Sequence, residues 1–459
     1  MCQPNIVFIL TDDQRYDTIC ALGNSEISTP NLDQLVNEGT SFTQAHIPGG
    51  TSAAICMPSR AMIHSGKTLF HIKDNGSNIP SEHITLGETL KNNGYFCYGT
   101  GKWHNGCESF NRSFHNGENI FFGGMWDHYN VPMCHYHADG IYPKTKFVQN
   151  FTTSNKISEP YCDEIKTGIH STDLIANSAI DFLKNYSQNN PYFLYVSFLA
   201  PHDPRVMPEK YKNMYDPEKI SVPKNFMEYH NVDFGIQNMR DETLSPFPRT
   251  IEEVKKHTAD YYAMISHLDE RIGEIIAVAK KKSENTIIIF AADNGLAIGR
   301  HGYFGKQNLF DHSVRIPLIL SGCSVPKGKQ ISNYVYLMDI YPSLCDLLGI
   351  ETPKSVEGIS FIPCILEQIP IRKQLYFAYN DRIRAVKDEQ YKLMVYKTTN
   401  GKKIQMFDLV NDPNELHDIS EDSKYQQKKK ELNTYLIQFK TDWGDEKHLL
   451  GRNFWKTGV

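Results

Sequence analysis

Short, densely apolar runs alternate along the chain with longer stretches whose apolar residues recur every three or four positions. The first run, residues 5–10 (NIVFIL), breaks off into TDDQR. A short β-rich run without polar alternation predicts a buried central strand feeding a loop. Residues 285–295 (NTIIIFAADNG) repeat the pattern and also end on acid and amide side chains. Two more strands are predicted over 95–101 and 192–204, and amphipathic helices over 172–186 and 259–282. A strand over 314–322 and a helix over 339–350 continue the alternation. The pattern predicts an α/β fold with a large mixed, mostly parallel sheet flanked by helices. In open α/β sheets ligands bind at the carboxyl ends of strands, so two strands ending in oxygen-bearing side chains suggest one shared site.

After about residue 355 the texture changes to short strands with hairpin-like connections (QLYFAY, RAVKDEQYKLMVYK, KKIQMFDLVNDPNE), closed by a helix over 424–439. This predicts a catalytic-sized α/β domain over 1–355 and a small subdomain over 356–459, an antiparallel sheet plus a helix.

Composition narrows the function. A chain of 459 residues can bury a large core. A formal net charge of −5 gives no bulk attraction to nucleic acid or anionic membranes, so any anion must be held by a local cluster. No stretch approaches the roughly 20 apolar residues of a membrane span. The start, MCQPNIVFIL, shows no signal peptide. The expected location is a bacterial periplasm, with an export signal absent from this sequence, or else the cytoplasm. Ten cysteines are scattered without a CxxC pair, which argues against a zinc ribbon or a thioredoxin-type site. CHYH at 134–137 lacks a second ligand pair, and reads as a loop or pocket wall. The triplet Asn150-Phe151-Thr152 carries little meaning if the source is bacterial.

Cys56 stands in an unusual setting, Cys56-Met57-Pro58-Ser59-Arg60 with Ser65-Gly66 following. On its own it could be a catalytic thiol, a metal ligand, a disulfide half or an inert small residue. The motif resembles the signature of the formylglycine-dependent sulfatases of the alkaline-phosphatase superfamily, and the resemblance covers nearly the whole chain. It implies that Cys56 is oxidised to the aldehyde formylglycine by a maturation enzyme, of the radical type in an anaerobic bacterium. The chemistry explains the aldehyde. A serine would be left as a stable sulfate ester after one step, whereas a hydrated aldehyde has a second hydroxyl that expels the sulfate.

The resemblance then assigns the remaining residues. Asp12, Asp13, Asp293 and Asn294 are hard oxygen donors suited to Ca2+, with Mg2+ ranked second, and position 56 completes the metal set. Taken singly, Asp-Asp could equally be a helix cap and Asp-Asn-Gly a turn. In GKWHNG, Lys102 is a sulfate clamp and His104 the partner of the formylglycine hydroxyl and the base that triggers elimination. In APHDPR, His202 is the general acid, and in GKQNLFDHSVRIP, Lys306 is a second sulfate ligand that shares the acid role. Arg60 holds the formylglycine hydroxyl and balances charge. A metal, an arginine and two lysines supply the focused positive field that sulfate needs.

The stretches over 201–226, GGMWDHYNVP and RDETLSPFPRT resemble a bacterial branch acting on polysaccharides, which implies a sulfated oligosaccharide substrate and exo-acting removal of a uronate 2-O-sulfate from glycosaminoglycan fragments. A carboxylate beside the sulfate calls for an extra cation or donor, for which Arg205, His312 and the pair Asp127-His128 are the candidates. Competing readings are another sulfate position, a phosphonate or phosphodiester hydrolase of the same superfamily, an inactive carbohydrate-binding scaffold and a Cys-His hydrolase.

Overall fold

An eight-stranded sheet organises the chain. The computed structural model describes residues 3–148 and 155–456; Cys2 and the Asn150 triplet lie outside the described residues. In chain order the principal elements are β1 (Asn5–Thr11), α1 (Pro30–Glu38), β2 (Gly39–Phe42), α2 (Cys56–Ser65), β3 (Phe96–Lys102), β4 (Asn116–Phe121), α3 (Ser171–Asn185), β5 (Tyr192–Ser197), α4 (Ile251–Lys282), β6 (Thr286–Ala292), β7 (Leu318–Gly322), β8 (Lys329–Ile331) and α5 (Ile340–Leu348). Across the sheet the order is β8-β2-β7-β6-β1-β5-β3-β4. Only β7 runs antiparallel to its neighbours. The fold is therefore the expected mixed, mostly parallel α/β arrangement.

The absence of polar alternation in β1 has a direct cause. Ile6, Phe8 and Leu10 enter one core, shared with Met62 and Ile63 of α2 and Leu344 of α5. Val7 and Ile9 enter the opposite core, with Leu32 of α1, Ile175 and Leu183 of α3, and Leu268 and Ile272 of α4. A strand covered by helices on both faces has no wet side to show.

Two expected elements differ from the prediction. The strand expected over 314–322 breaks at Pro317: Arg315–Ile316 pairs with Ala45–His46 in a small separate sheet, and Leu318 onward joins the main one. Proline supplies no ladder donor. Helix α4 begins at Ile251, eight residues before the predicted 259, because Thr250 accepts a hydrogen bond from the Glu253 amide and caps it. Of its first turns only Val254 and Thr258 are buried, so the apolar periodicity is silent there.

A second sheet follows the main one: β9 (Leu375–Tyr379), β10 (Ile383–Lys387), β11 (Tyr391–Thr398) and β12 (Gly401–Asp408), joined as antiparallel hairpins. Helix α6 (Gln426–Asp442) buries Leu432 and Leu436. The fifth strand is Gly49–Gly50, parallel to β9 and drawn from the segment just ahead of α2. Among the described residues no helix is long and apolar enough to cross a membrane.

Candidate active site

Four neighbouring strands, β6, β1, β5 and β3, run parallel and so end at one edge. β6 runs into Asp293 and Asn294, β1 into Asp12 and Asp13, and β5 towards His202, while β3 ends on Lys102 just ahead of His104. Gly101 allows the last step: its φ is +89°, and a Cβ there would stand 1.8 Å from the Ser197 carbonyl oxygen. Asp13 and His104 occupy left-handed backbone, at φ 65° and 70°. Such strain costs about 1–3 kcal/mol per residue and persists where surroundings over-determine it. For Asp13 the surroundings are visible: its amide donates to Asp293 Oδ1 (3.1 Å) and its carbonyl accepts from the Tyr261 hydroxyl (2.6 Å).

Cys56 opens α2, whose N-terminus carries partial positive charge. Pro58 sits in the first turn, where no amide donor is needed. The Cys56 Sγ lies 3.4 Å from Lys102 Nζ and 3.6 Å from His104 Nδ1. Burial pushes the thiol up to about 11, against the pull of Lys102 and Lys306. Burial, then Lys102, holds His104 well below the usual histidine range. A neutral thiol beside a neutral imidazole is a poor thiolate nucleophile, which weighs against the Cys-His reading. The rest of the motif serves Asp293: Ser59 Oγ donates to its carbonyl (2.6 Å) and Arg60 Nε to its carboxylate (2.8 Å). Arg60 Nη1 also donates to the Lys102 carbonyl (2.8 Å) and Ser197 Oγ (2.5 Å), so one guanidinium ties α2 to β6, β3 and β5.

The structure brings the expected acidic residues together. Ligand atoms of Asp12, Cys56 and Asp293 lie within 4.8 Å of one another, as do those of Asp12, Asp13 and His202. Lys102 ion-pairs with Asp12, Lys306 Nζ with Asp13 Oδ1 (2.5 Å), and Asn294 Nδ2 donates to Asp13 Oδ1 (2.7 Å). Asp12 Oδ1 and Asn294 Oδ1 are buried without a hydrogen-bond partner. An orphaned buried polar atom costs about 1–3 kcal/mol. Burial and the charge of Asp12 push Asp293 up to about 6, whereas for Asp12 itself Lys102, His202 and Arg60 outweigh burial and hold it far below the carboxylate range. Orphaned hard oxygens and crowded carboxylates fit a divalent cation. Asp12, Asp13 and Asp293 already balance Arg60, Lys102 and Lys306, so a bound cation would leave the site positive towards an anion.

Above this floor lies a cavity of about 330 Å3 whose walls include Cys56, His104, His202, Lys306, Met125, Met239, Arg240, Asp241 and Gln307. Burial, then Lys306, pulls His202 down to about 4. For Lys306 burial is outweighed by Asp13, and the amine is held above the usual lysine range.

The four expected specificity residues sit elsewhere. Arg205 Nη1 lies 2.7 Å from His257 Nδ1 and is not part of the cavity wall. His312 stacks on Phe310 and His301, each at 5.7 Å, also outside it. Asp127 closes its own turn, accepting from the Tyr129 amide (2.9 Å) and Asn130 Nδ2 (2.7 Å). His128 is buried behind His202, with Nε2 3.0 Å from the His202 carbonyl oxygen. In CHYH, His135 pairs with Glu118 and His137 with Asp163, at 2.7 and 3.0 Å. All described cysteines are free.

Residues not foreseen complete the cavity wall. Arg240, partly exposed, ion-pairs with Asp203 and with Asp241 (2.8 Å), and Gln307 Nε2 bridges Asp241 Oδ2 (2.7 Å) and the Ala53 carbonyl (2.9 Å). Asp203 and Gln307 adjoin His202 and Lys306 in sequence, a usable signal. Arg240 opens RDETLSPFPRT, a stretch without periodicity, so its spacing does not mark it as part of the site.

The sulfatase family profile matches residues 4–350, and that of the N-sulphoglucosamine sulphohydrolase C-terminal region matches 299–442. A sulfatase of Formosa agariphila is 28% identical, covering 97% of this chain and 88% of its own length. The N-acetylglucosamine-6-O-sulfatase of Bacteroides thetaiotaomicron is 25% identical over the same shares. A solved structure in complex with its substrate D-glucosamine-2-N,6-O-disulfate aligns with a TM-score of 0.77 at 22% identity, covering 97% of this chain and 99% of that one.

Proposed function

The chain belongs to the sulfatase family, a family of sulfuric ester hydrolases, and from that premise we propose that it removes sulfate from the terminal sugar of a sulfated glycan fragment, with Cys56 in its formylglycine form at the reacting centre. The observation that carries this reading is the convergence on Cys56 of Lys102 and His104, at 3.4 and 3.6 Å, in a cavity also walled by His202 and Lys306.

A calcium ion, with magnesium second, and the hydrated aldehyde supply, when bound, a Lewis acid for sulfate and a nucleophilic hydroxyl with a second hydroxyl for release. Asp12, Asp13, Asp293 and Asn294 would hold the cation, and Ser59 and Arg60 fix Asp293. Lys102 and Lys306 clamp sulfate oxygens. His104, neutral, takes the proton of the hydroxyl at position 56. His202 delivers a proton to the departing sugar oxygen, and Lys306, whose amine Asp13 holds above the usual lysine range against burial, clamps the sulfate rather than sharing the acid role expected of it from sequence. Cys56 and Arg60 are buried, so a maturation enzyme reads the motif before the chain closes.

A uronate 2-O-sulfate would need a free cation beside the sulfate; Arg205 and His312 lie outside the wall, and Arg240 already serves two carboxylates. This favours a hexosamine sulfate over a uronate. The partial exposure of Arg240 in the cavity wall still supports a uronate.

The test uses protein co-produced with a maturation enzyme, its aldehyde at Cys56 quantified by mass spectrometry, and unsaturated heparin and chondroitin disaccharides differing only in sulfate position. Release from hexosamine sulfates is expected. Release confined to 2-O-sulfated uronates would reverse the choice of sugar, and a full complement of aldehyde with no release from any of them would sink the glycan reading. Faster turnover of an aryl phosphate diester than of an aryl sulfate would favour the phosphodiesterase alternative, and a persistent thiol the inactive scaffold.

A further inference from the structure

Behind the cavity wall, the loop that carries His202 is held at two of its carbonyl groups by two histidines. His128 Nε2 lies 3.0 Å from the His202 carbonyl oxygen, and His170 Nε2 lies 3.1 Å from that of Val206. A carbonyl only accepts, so each Nε2 carries the hydrogen. The opposite nitrogens are fixed too: the Thr172 amide donates to His170 Nδ1 (3.2 Å), and His128 Nδ1 lies 2.7 Å from Ser171 Oγ. The two rings are stacked, with centroids 4.8 Å apart and planes 6° from parallel, and both are buried. Ser171 and Thr172 begin α3, and the Ser171 amide donates to the His128 carbonyl (2.8 Å). Through this pair the loop is referred to a helix packed on the main sheet.

We infer that His128 and His170 are positioning residues that set the height and rotation of the His202 imidazole over the cavity. The inference rests on the proposed role of His202 as the acid for the leaving oxygen. A misplaced acid harms only reactions that need one. A phenol made acidic by a nitro group leaves without protonation, whereas phenol itself gains from a donor.

The experiment compares kcat for 4-nitrophenyl sulfate and phenyl sulfate in wild type, His128→Leu, His170→Leu, the corresponding Gln variants and His202→Asn. The ratio of the two rates within one preparation is independent of the folded or aldehyde-bearing fraction. For each Leu variant the phenyl rate should fall at least about tenfold more than the nitrophenyl rate, part of the roughly 100-fold or more that general acid catalysis supplies, with KM little changed. Glutamine retains a donor and should restore the ratio in part. If the Leu variants do not fold, Ser171→Ala, which frees His128 Nδ1, should shift the ratio in the same direction. Equal losses on both substrates in the His128 and His170 variants, with a biased loss in His202→Asn, would overturn the inference alone. An unbiased loss in His202→Asn would overturn the acid role beneath it.

Discussion

Two buried ion clusters of similar make-up lie in this molecule and differ in what they leave over. In the cluster beside Cys56 three carboxylates face three cations, yet Asp12 Oδ1, Asn294 Oδ1 and Arg60 Nη2 have no hydrogen-bond partner. In the second cluster Asp311 and Glu415 face Lys387 and Lys392 and the bonding closes. Lys387 Nζ reaches Asp311 Oδ2 (2.8 Å), Gln44 Oε1 (3.2 Å) and His46 Nε2 (3.2 Å). Lys392 Nζ reaches Asp311 Oδ1 (3.0 Å) and Glu415 Oε1 (2.8 Å), and the Asp311 amide donates to Glu415 Oε2 (2.9 Å). Burial and charge are alike in these two clusters, and the unspent bonding capacity is what differs. The closed cluster ties β10 and β11 to the loop that carries Lys306, and so serves the open one by position.

The difference can be broken at either end. In the closed cluster, Lys392→Met leaves a buried carboxylate uncompensated and should destabilise the fold by about 3–5 kcal/mol, read by denaturant unfolding, while kcat per aldehyde-bearing folded molecule changes little. A comparable collapse of kcat at unchanged stability would mean that this cluster is not a brace. In the open cluster, Lys102→Met should cost about 10²–10³ in kcat, the scale of losing one preorganised donor, with a smaller loss of stability when calcium is present, because the cation takes over the compensation of Asp12. Finally, calcium added to chelator-treated protein should raise the unfolding free energy with concentration, by about 2.7 kcal/mol at 100 times its Kd. Asp12→Asn should blunt that rise, whereas Lys392→Met should leave it intact. No response to calcium or magnesium would remove the divalent-cation reading of the open cluster.

Much of this was legible before any fold was known. NIVFIL and NTIIIFAADNG become β1 and β6, adjacent and parallel, each ending on the expected oxygens. The hairpin-rich C-terminal stretch forms the antiparallel sheet, and the predicted 172–186 helix is off by one residue at each end. Other features left no trace. β2 and β4 are short and contain glycine and polar residues, so neither produces an apolar run. Gly49–Gly50 joins the second sheet through backbone bonds alone, which no side-chain pattern announces. Arg205 sits three residues from His202 and reads as a neighbour of the chemistry, yet the turn after His202 carries it to His257.

The sequence by itself determined the chemical inventory: a cysteine in its motif, four oxygen donors and five cationic or basic side chains (Arg60, Lys102, His104, His202 and Lys306), with the oxygen donors and Lys102 tied to strand ends by local spacing. That much is local, because a parallel strand buried on both faces can release polar residues only at its ends. Tertiary structure alone decided which side chains complete the cavity wall, which of two lysine-carboxylate clusters stays open, and that His128 supports the His202 loop from behind. Those outcomes depend on loops such as that of Arg240, whose paths follow from packing against distant parts of the chain and leave no periodic mark in the sequence.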